Sequence, residues 1–416
     1  MSNIILQSAE NSALLQTLNQ SESKIIPSIY STATCYAPSA TNWYSLIPKT
    51  GSVTAGQSQV WDLPKYGILQ QIVFSYTKTL NFTAAANTEV EIPAGDVFNL
   101  IDRVEYLSSS RILCTLYSED IIAQLKSLST DEYSTISQFL GSSGTTAAGA
   151  TSVSKKVTIP IVFPFFQQHT APNLQFNEPV QLRIVYRNPN ALRKHAGTDP
   201  TNITGTFDTK VMLRYKMYSE ADTAQLLASN YEEEQLNMLT SRNYRENPSV
   251  FTVGANKVDN HKFTIELKNV DVCQNFNFMV RGPSGLGEDT SQNKLLKIKR
   301  VRLTASGQEL CDLDEDQLLY MKLTKSGWPV NASYFTSAIA DPMDINNVAV
   351  VQTGLWTWDK DEWTNGWSLR EMNNVVAEVY VDLAANKTYT CYCQELTSCI
   401  LSTASNTGRQ VISLSN

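Results

Sequence analysis

The stretch RVEYLSSSRILCTLYSEDII (residues 103–122) recurs in altered form as RVRLTASGQELCDLDEDQLL (residues 300–319). A shift of 197 positions (residue 300 against residue 103) aligns the two copies without a gap. The identical pairs in this alignment are Arg103/Arg300, Val104/Val301, Ser109/Ser306, Leu113/Leu310, Cys114/Cys311 and Leu116/Leu313. Each copy predicts a strand, a small polar turn, a second strand and an acidic helix start. Solenoid and propeller repeats have periods of roughly 20–50 residues, so the longer period here indicates a duplicated domain.

Length, charge and cysteine content narrow the possible classes of protein. A chain of 416 residues exceeds the roughly 250–300 residues at which single cores stop growing, which predicts two or three cores. Charged residues make up 18% of the chain, below the usual ~25%, which suggests that sister subunits cover part of the surface. The net charge of -7 argues against a nucleic-acid-binding protein, since phosphates are neutralised by a basic surface.

The sequence also predicts where the protein is made. No apolar run reaches the ~20 residues needed to span a bilayer, and the first twenty residues lack the basic residues of a signal peptide. The seven cysteines are irregularly spaced, which favours buried thiols in a reducing cytoplasm over a disulfide framework.

Four regions are predicted along the chain. Residues 1–50 form an N-terminal arm with a short amphipathic helix, and this arm is either a frayed terminus or a segment that docks on a neighbour or a membrane surface. Residues 51–218 and 250–416 are rich in strands, and residues 219–249 read as a helical linker. The predicted strands are 59–64, 68–77, 100–107, 111–117, 156–166, 180–186, 210–218, 262–272, 274–280, 296–304, 308–313, 347–352, 354–359, 375–383 and 389–396. Helices are predicted at 118–140 and 314–323, and the strand pattern predicts an all-β sandwich or barrel in each half.

The segment WTWDKDEWTNGW (residues 356–367) is the best candidate for a binding site. It contains four tryptophans, Trp356, Trp358, Trp363 and Trp367. Tryptophans of this kind form stacking platforms for sugars, and Asp359, Asp361 and Glu362 offer carboxyl groups for a glycosidase pair, whose separation a sequence does not give. The alternative is that the tryptophans pack a large loop or a subunit interface.

Other chemically suggestive residues fit structural roles better. Asp312, Asp314 and Asp316 have the spacing of a calcium loop, but Gln317 and Leu323 replace its required Gly and Glu, so helix capping is favoured. Cys391, Cys393 and Cys399 lack the spacing of a zinc site. The three histidines, His169, His195 and His261, lie near no recognisable nucleophile motif. The sequence thus predicts no catalytic residue, no metal site and no cofactor.

The chain resembles the double jelly-roll major capsid proteins of icosahedral viruses, which include those of tectiviruses, adenovirus hexon and large algal viruses. The resemblance rests on the repeated hairpin and helix start (101–122 and 298–319), on VTIPIVFPFFQQ followed by VQLRIVY (157–168 and 180–186), and on the two-domain size. In the second half GLWTWD replaces the Pro-Phe-Phe motif, and Ser110 stands where the second hairpin has Gly307.

The resemblance implies two tandem eight-stranded jelly rolls with short helical insertions, assembled as a pseudo-hexagonal homotrimer. The implied function is structural: a capsid subunit of the virion, synthesised in the host cytoplasm, without enzymatic activity. Its expected partners are itself, neighbouring capsomers, minor or vertex capsid proteins, and an internal membrane through the N-terminal arm, with no direct contact to nucleic acid. Two rival functions remain open at this point, a two-jelly-roll glycan hydrolase and a carbohydrate-binding adhesin or lectin.

Overall fold

The computed structural model describes most of the chain from residue 39 onward. The described residues are 39–64, 67–92, 96–108, 111–118, 120–121, 144–167, 179–218, 235–245, 251–268, 272–282, 296–318, 324–325, 328–329, 349–352, 355–357, 362–364, 367–368, 372–404 and 408–413. The predicted amphipathic helix of the arm, most of the predicted helix 118–140 and most of the loop 327–346 lie outside these residues.

The first half of the chain forms two facing antiparallel sheets. Its strands are β1 (Ser39–Leu46), β2 (Thr50–Gly51), β3 (Ser58–Leu63), β4 (Ile68–Thr83), β5 (Glu89–Glu91), β6 (Ile101–Ser108), β7 (Arg111–Tyr117), β8 (Ser152–Ile161), β9 (Val180–Tyr186), β10 (Arg193–Ala196) and β11 (Thr201–Tyr218). One sheet has the order β1-β11-β4-β8 and the other the order β2-β3-β9-β6-β7, while β10 pairs with β5. Short helices span Asp96–Leu100 and Pro164–Gln167.

Period-2 alternation explains why these strands form a sandwich. Along β8 the side chains of Val157, Ile159 and Ile161 are buried while the residues between them are more exposed. The buried side chains of both sheets meet in one core cluster around Trp61, Phe74 and other apolar residues. Burying such a side chain stabilises the fold by about 1.5–3 kcal/mol.

The second half repeats this architecture. Its strands are β12 (Gln235–Arg245), β13 (Phe251–Thr252), β14 (Val258–Leu267), β15 (Val272–Arg281), β16 (Ile298–Ala305), β17 (Gln308–Asp314), β18 (Thr324–Lys325), β19 (Trp328–Pro329), β20 (Ala349–Gln352), β21 (Leu355–Thr357), β22 (Glu362–Thr364), β23 (Trp367–Ser368), β24 (Val375–Leu383), β25 (Thr388–Ala404) and β26 (Gly408–Ser413). The main sheets have the orders β12-β25-β15-β20 and β14-β24-β16-β17. A second core cluster lies between them and contains Phe263, Phe276 and Val379.

Strand order and register confirm the tandem double jelly roll. One sheet of the first roll has the order β1-β11-β4-β8, and one sheet of the second roll has the order β12-β25-β15-β20. The strands at the same place in these two orders are equivalent. The hairpin β6–β7 has a β-bulge between Tyr106 and Leu107, and the hairpin β16–β17 has one between Leu303 and Thr304. These bulges coincide under the shift of 197 residues. Bulges are specific features of a fold, so their coincidence supports a common origin for the two hairpins.

The turn of the second hairpin shows how its sequence sets this geometry. Ser306 and Gly307 both have positive φ angles, 48° and 80°. Two such residues form the tight turn whose twist matches that of paired antiparallel strands. The Ser306 N–H also donates to the carbonyl oxygen of Asn373 at 2.9 Å. The matching turn residues 109–110 lie outside the described residues.

Two segments predicted to lie outside the rolls are strands of the rolls. Residues 39–46, assigned to the N-terminal arm, form β1 and pair with β11. Residues 235–245, assigned to the helical linker, form β12 and pair with β25 along their whole length. The helical prediction for these residues is wrong because the edge of β25 supplies backbone partners that outweigh a weak helix propensity. The division of the chain at 1–50, 51–218, 219–249 and 250–416 otherwise stays a prediction.

The predicted strand 156–166 ends earlier than expected. β8 stops at Ile161, and the motif Pro-Phe-Phe lies in the helix Pro164–Gln167. Proline is favoured at the first helical position because its fixed φ suits a helix and its missing N–H needs no partner there. Phe163 and Phe165 stack at a centroid distance of 5.2 Å in the first core.

Candidate functional site

The tryptophan-rich segment is only partly described. Trp356 lies in β21 directly opposite Trp363 in β22, and Trp367 in β23 lies opposite Cys273 in β15. Trp358 and the acidic residues Asp359 and Asp361 lie outside the described residues. The backbone thus brings Trp356 and Trp363 to one ladder position, and a role in binding stays a prediction.

The acidic cluster after the second hairpin caps a helix. The carboxylate of Asp314 accepts the backbone N–H of Gln317, and the side-chain oxygen of Gln317 accepts the backbone N–H of Asp314, both at 2.9 Å. This reciprocal pair has the form of a capping box. Asp312 instead binds Arg300, whose guanidinium lowers the pKa of that carboxyl. Among the described residues, no three His, Cys, Asp or Glu side chains form a potential metal site.

The described cysteines have thiols in protected environments. Cys391 and Cys393 are fully buried in β25, and the side chain of Cys399 is not among those described. Burial raises the pKa of Cys393 well above its ordinary value and that of Cys311 to about 11. A thiol ligates metals and attacks electrophiles as the thiolate, so these two residues are poorly suited to either role.

The two described histidines lie in unrelated environments. His195 Nε2 in β10 lies 2.9 Å from Glu91 Oε1 in β5 of the first roll. His261 stacks on Phe251 at a centroid distance of 4.0 Å in the second roll, and burial lowers its pKa. His169 lies outside the described residues. The predicted lack of a catalytic constellation thus stays a prediction.

The described residues also form a contact between the two rolls. Met279 and Tyr392 project from the outer face of the sheet β12-β25-β15-β20 and pack in the core cluster of the first roll. Arg281, which is 3% exposed, donates to Asn99 Oδ1 at 3.4 Å. β12 lies against β7 and against the helix Pro164–Gln167. The outer face of this sheet is therefore covered by the first roll.

The sequence did not reveal this contact. β15 alternates Asn275 and Asn277 with Phe276 and Phe278, which is typical of a strand with one side in solvent. All four residues are buried, and Asn277 donates to Gln394 at 2.9 Å on the outer face. That bond satisfies only part of the polar face, because Asn275 Oδ1 and Gln394 Nε2 are buried with no hydrogen-bond partner among the described residues, so burying this face has a cost. The only signal was the outward Met279 among these polar residues.

Within the described residues, no helix combines the length and the apolar composition that crossing a bilayer requires.

Comparisons with known proteins detect a likeness in structure. No protein-family model and no curated protein sequence matches the chain. The capsid structure of PBCV-1 matches with a TM-score of 0.62 at 10% identity, covering 91% of this chain and 97% of that one. The Faustovirus major capsid protein matches with a TM-score of 0.57 at 8% identity, covering 97% and 98% of the two chains. A structure of the Sputnik virophage matches with a TM-score of 0.57 at 10% identity, covering 89% and 88%.

These likenesses extend over nearly the whole of each chain, so they include both rolls and their arrangement. They agree with the strand order and the repeated bulges described above. The chain therefore has the double jelly-roll fold of viral major capsid proteins, as the resemblance of its repeated hairpin indicated.

Proposed function

We propose that this chain is a viral major capsid protein whose trimers tile an icosahedral shell. The observation that carries the proposal is the tandem arrangement of two rolls with one strand order, matched over nearly full length by capsid subunits. A fold alone does not determine function, but this match includes two domains and their relative placement.

The physics of the fold supports a role as a building block. Two facing sheets that close on each other leave few unpaired strand edges, which limits uncontrolled aggregation. Three copies of a two-roll chain place six similar rolls around one axis, which gives a nearly hexagonal outline. Such an outline fills a surface, and closed cyclic symmetry stops growth into a fibre. Weak lateral contacts then suffice, because each capsomer makes several at once.

The proposed partners follow from this role. The chain binds itself in a homotrimer, then neighbouring capsomers, then minor or vertex capsid proteins, and its N-terminal arm contacts an internal membrane where the virus has one. It binds no nucleic acid directly. The protein is synthesised in the host cytoplasm and functions in the virion shell.

We assign no enzymatic activity to the chain. The glycan hydrolase and the lectin depended on the tryptophan-rich segment, and no structural likeness reported above supports either function. Trp356, Trp358, Trp363 and Trp367 are instead proposed to contribute to loop packing or to a subunit interface, where tryptophan is enriched.

Light scattering coupled to size-exclusion chromatography tests the proposal directly. The expected result is a stable particle with three times the chain mass of 46.3 kDa, with a hexagonal outline in electron micrographs. A chain that stays monomeric at every concentration and is retained by a glycan column would overturn the proposal in favour of the lectin.

A further inference from the structure

The contact between the rolls joins two different surfaces. Because the domain is duplicated, each of these surfaces has an equivalent in the other roll, and that equivalent is uncovered. In the contact itself, the region of β7 and the following helix start of the first roll meets the outer face of β12-β25-β15-β20. The equivalent of β7 and its helix start is β17 with its helix start. The equivalent of the outer face of β12-β25-β15-β20 is the outer face of β1-β11-β4-β8. We infer that these two uncovered surfaces bind each other between neighbouring copies of the chain. The inference deepens the proposed function and rests on it.

The first uncovered surface is the second hairpin and its helix start. In the first roll Ser118 and Asp120 at the helix start are 0% and 1% exposed, while Ile121 and its equivalent Leu318 are buried in both rolls. At the equivalent positions of the second roll Glu315 is half-buried and Gln317 is exposed. The same difference is seen within the hairpins. Leu113 and Cys114 of the first hairpin are buried, but the equivalent residues of the second hairpin, Leu310 and Cys311, are half-buried. The second copy therefore lacks the cover that the first copy receives.

The second uncovered surface is the β1 side of the first sheet. β1 is the equivalent of β12 and is an edge strand. On its outward side Trp43 is 55% exposed, and Ile47 just beyond its end is 82% exposed. Arg214 of β11, the register partner of Trp43, is also exposed. Large apolar side chains on an open sheet edge favour a protein interface.

The two uncovered surfaces carry opposite charge. The outward side chains of the first sheet include the exposed acid Asp208 but also Lys156, Lys210 and Arg214, and none of these three basic residues forms an ion pair within the described part of the chain. The helix start of the second roll presents Asp314 and Asp316, both exposed. Complementary charge of this kind steers association and fixes the register of an interface.

The geometry of such a contact is head-to-tail. The hairpin of one copy meets the sheet of the next, so the two partners use different surfaces and each copy keeps one of each free. Contacts of this type either close into a ring or continue as a filament. In a trimer, the contact within each chain and the contact between chains would alternate six times around the axis, and every roll would have equivalent neighbours.

Charge reversal at one residue of each surface tests the inference. Arg214→Glu and Asp316→Arg are each expected to raise the protein concentration needed for trimer formation at least about tenfold, because each places like charges against each other. Trp43→Ser should act in the same direction by removing apolar contact. The double variant Arg214→Glu/Asp316→Arg restores complementary charge and should recover much of the lost association. Matched controls are Lys257→Glu and Asp259→Arg. They reverse two exposed charges, one on the residue before β14 and one within β14.

Sedimentation velocity over a concentration series gives the readout, and circular dichroism checks that each variant is folded. Trimers that form equally well in the three single variants and the controls would overturn the inference while leaving the proposed function intact. Failure of the double variant to recover would assign the two residues to separate contacts and would also overturn it. If the unaltered chain forms no trimer, the proposed function itself fails.

Discussion

The two rolls place ion pairs at equivalent positions but with opposite signs. In the first roll Glu105 of β6 binds Arg183, its partner on β9, and in the second roll Arg302 of β16 lies 3.7 Å from Glu378 on β24. In the hairpin alignment Glu105 matches Arg302, so acid and base have exchanged strands.

A second pair repeats the exchange. Asp102 lies at a β-bulge of the first roll and binds Arg187 at 3.0 Å, and Lys299 lies at the same bulge of the second roll and binds Asp382 at 2.5 Å. The attraction between opposite charges does not depend on which strand carries which sign. The conserved feature is therefore the cross-strand pair, the stabilising unit of a sheet, rather than the residue.

The rolls differ more sharply in where they bury charge. Lys78 and Asp96 of the first roll form an ion pair at 2.8 Å with no exposed side-chain surface, and the Tyr76 hydroxyl donates to the same carboxylate at 2.8 Å. When LQQIVFSY (residues 69–76) in β4 is aligned with CQNFNFMV (residues 273–280) in β15, Gly282 stands at the position of Lys78. The ion pairs described for the second roll lie at the surface, as between Lys297 and Glu315. Among the described ion pairs, the fully buried one thus belongs to the first roll, although the second roll also buries the charged side chains Arg281 and Glu395.

Removing one partner of the buried pair should have the largest effect on stability. Lys78→Met leaves the Asp96 carboxylate buried without a countercharge, and we expect the free energy of unfolding to fall by about 3–5 kcal/mol. Lys297→Met breaks an exposed pair and should change it by less than about 1 kcal/mol. Urea denaturation gives the magnitude, and hydrogen exchange should place the loss in the first roll. Equal losses in the two variants would contradict the distinction between the rolls.

The sequence predicted much of this fold because the strands carry the information locally. β7, β9 and β24 lie at their predicted bounds, since β9 and β24 end at turn residues and β7 ends at the helix start that begins with Ser118. β12 was missed because its sequence resembles a helix and only the edge of β25, far along the chain, makes it a strand.

The functional surface was harder to predict than the fold. Asn275 and Asn277 resemble solvent-facing residues of a one-sided strand, yet both are buried, on the face whose Met279 packs in the core of the first roll. Alternation shows which side chains share a face, but it does not show whether another domain lies against that face. Trp43 was assigned to the arm for a related reason, because a single edge strand next to a Pro- and Ser-rich segment has little pattern of its own.

Exchanging the signs of an exposed pair tests whether only the pairing matters. Lys299→Asp and Asp382→Lys should each lower the melting temperature of the second roll, because each leaves like charges together at the bulge. The double variant has an acid at residue 299 and a base at residue 382, as the first roll has with Asp102 and Arg187. It should therefore recover more than half of the lost melting temperature. The recovery is expected to be incomplete, since Asp382 also accepts the backbone N–H of Asn260 at 2.9 Å. A double variant no more stable than the weaker single one would mean that the sign itself is required.

The smallest effect that we expect is a dependence of stability on pH that His261 gives to the second roll. His261 of the second roll lies between Phe251 and Phe263, and burial lowers its pKa from the ordinary 6.5. Its Nε2 is buried and has no hydrogen-bond partner among the described residues. The unfolded chain therefore takes up a proton at a higher pH than the folded chain, so stability is fully present above about pH 6.5 and declines as the pH falls below it.

Hydrogen exchange of the second roll at about pH 7 and about pH 5, corrected for the intrinsic rate, should detect this decline. The range lies above the ordinary pKa of 4.5 of glutamate, and because Lys262 lowers the pKa of Glu378 further, that carboxylate keeps its charge there. His261→Phe retains the aromatic contacts without a titrating group and should remove the pH dependence. His195→Phe leaves His261 in place and should retain it. A pH dependence that survives His261→Phe would assign the proton uptake to another group, and the stacked imidazole would then be only a packing residue.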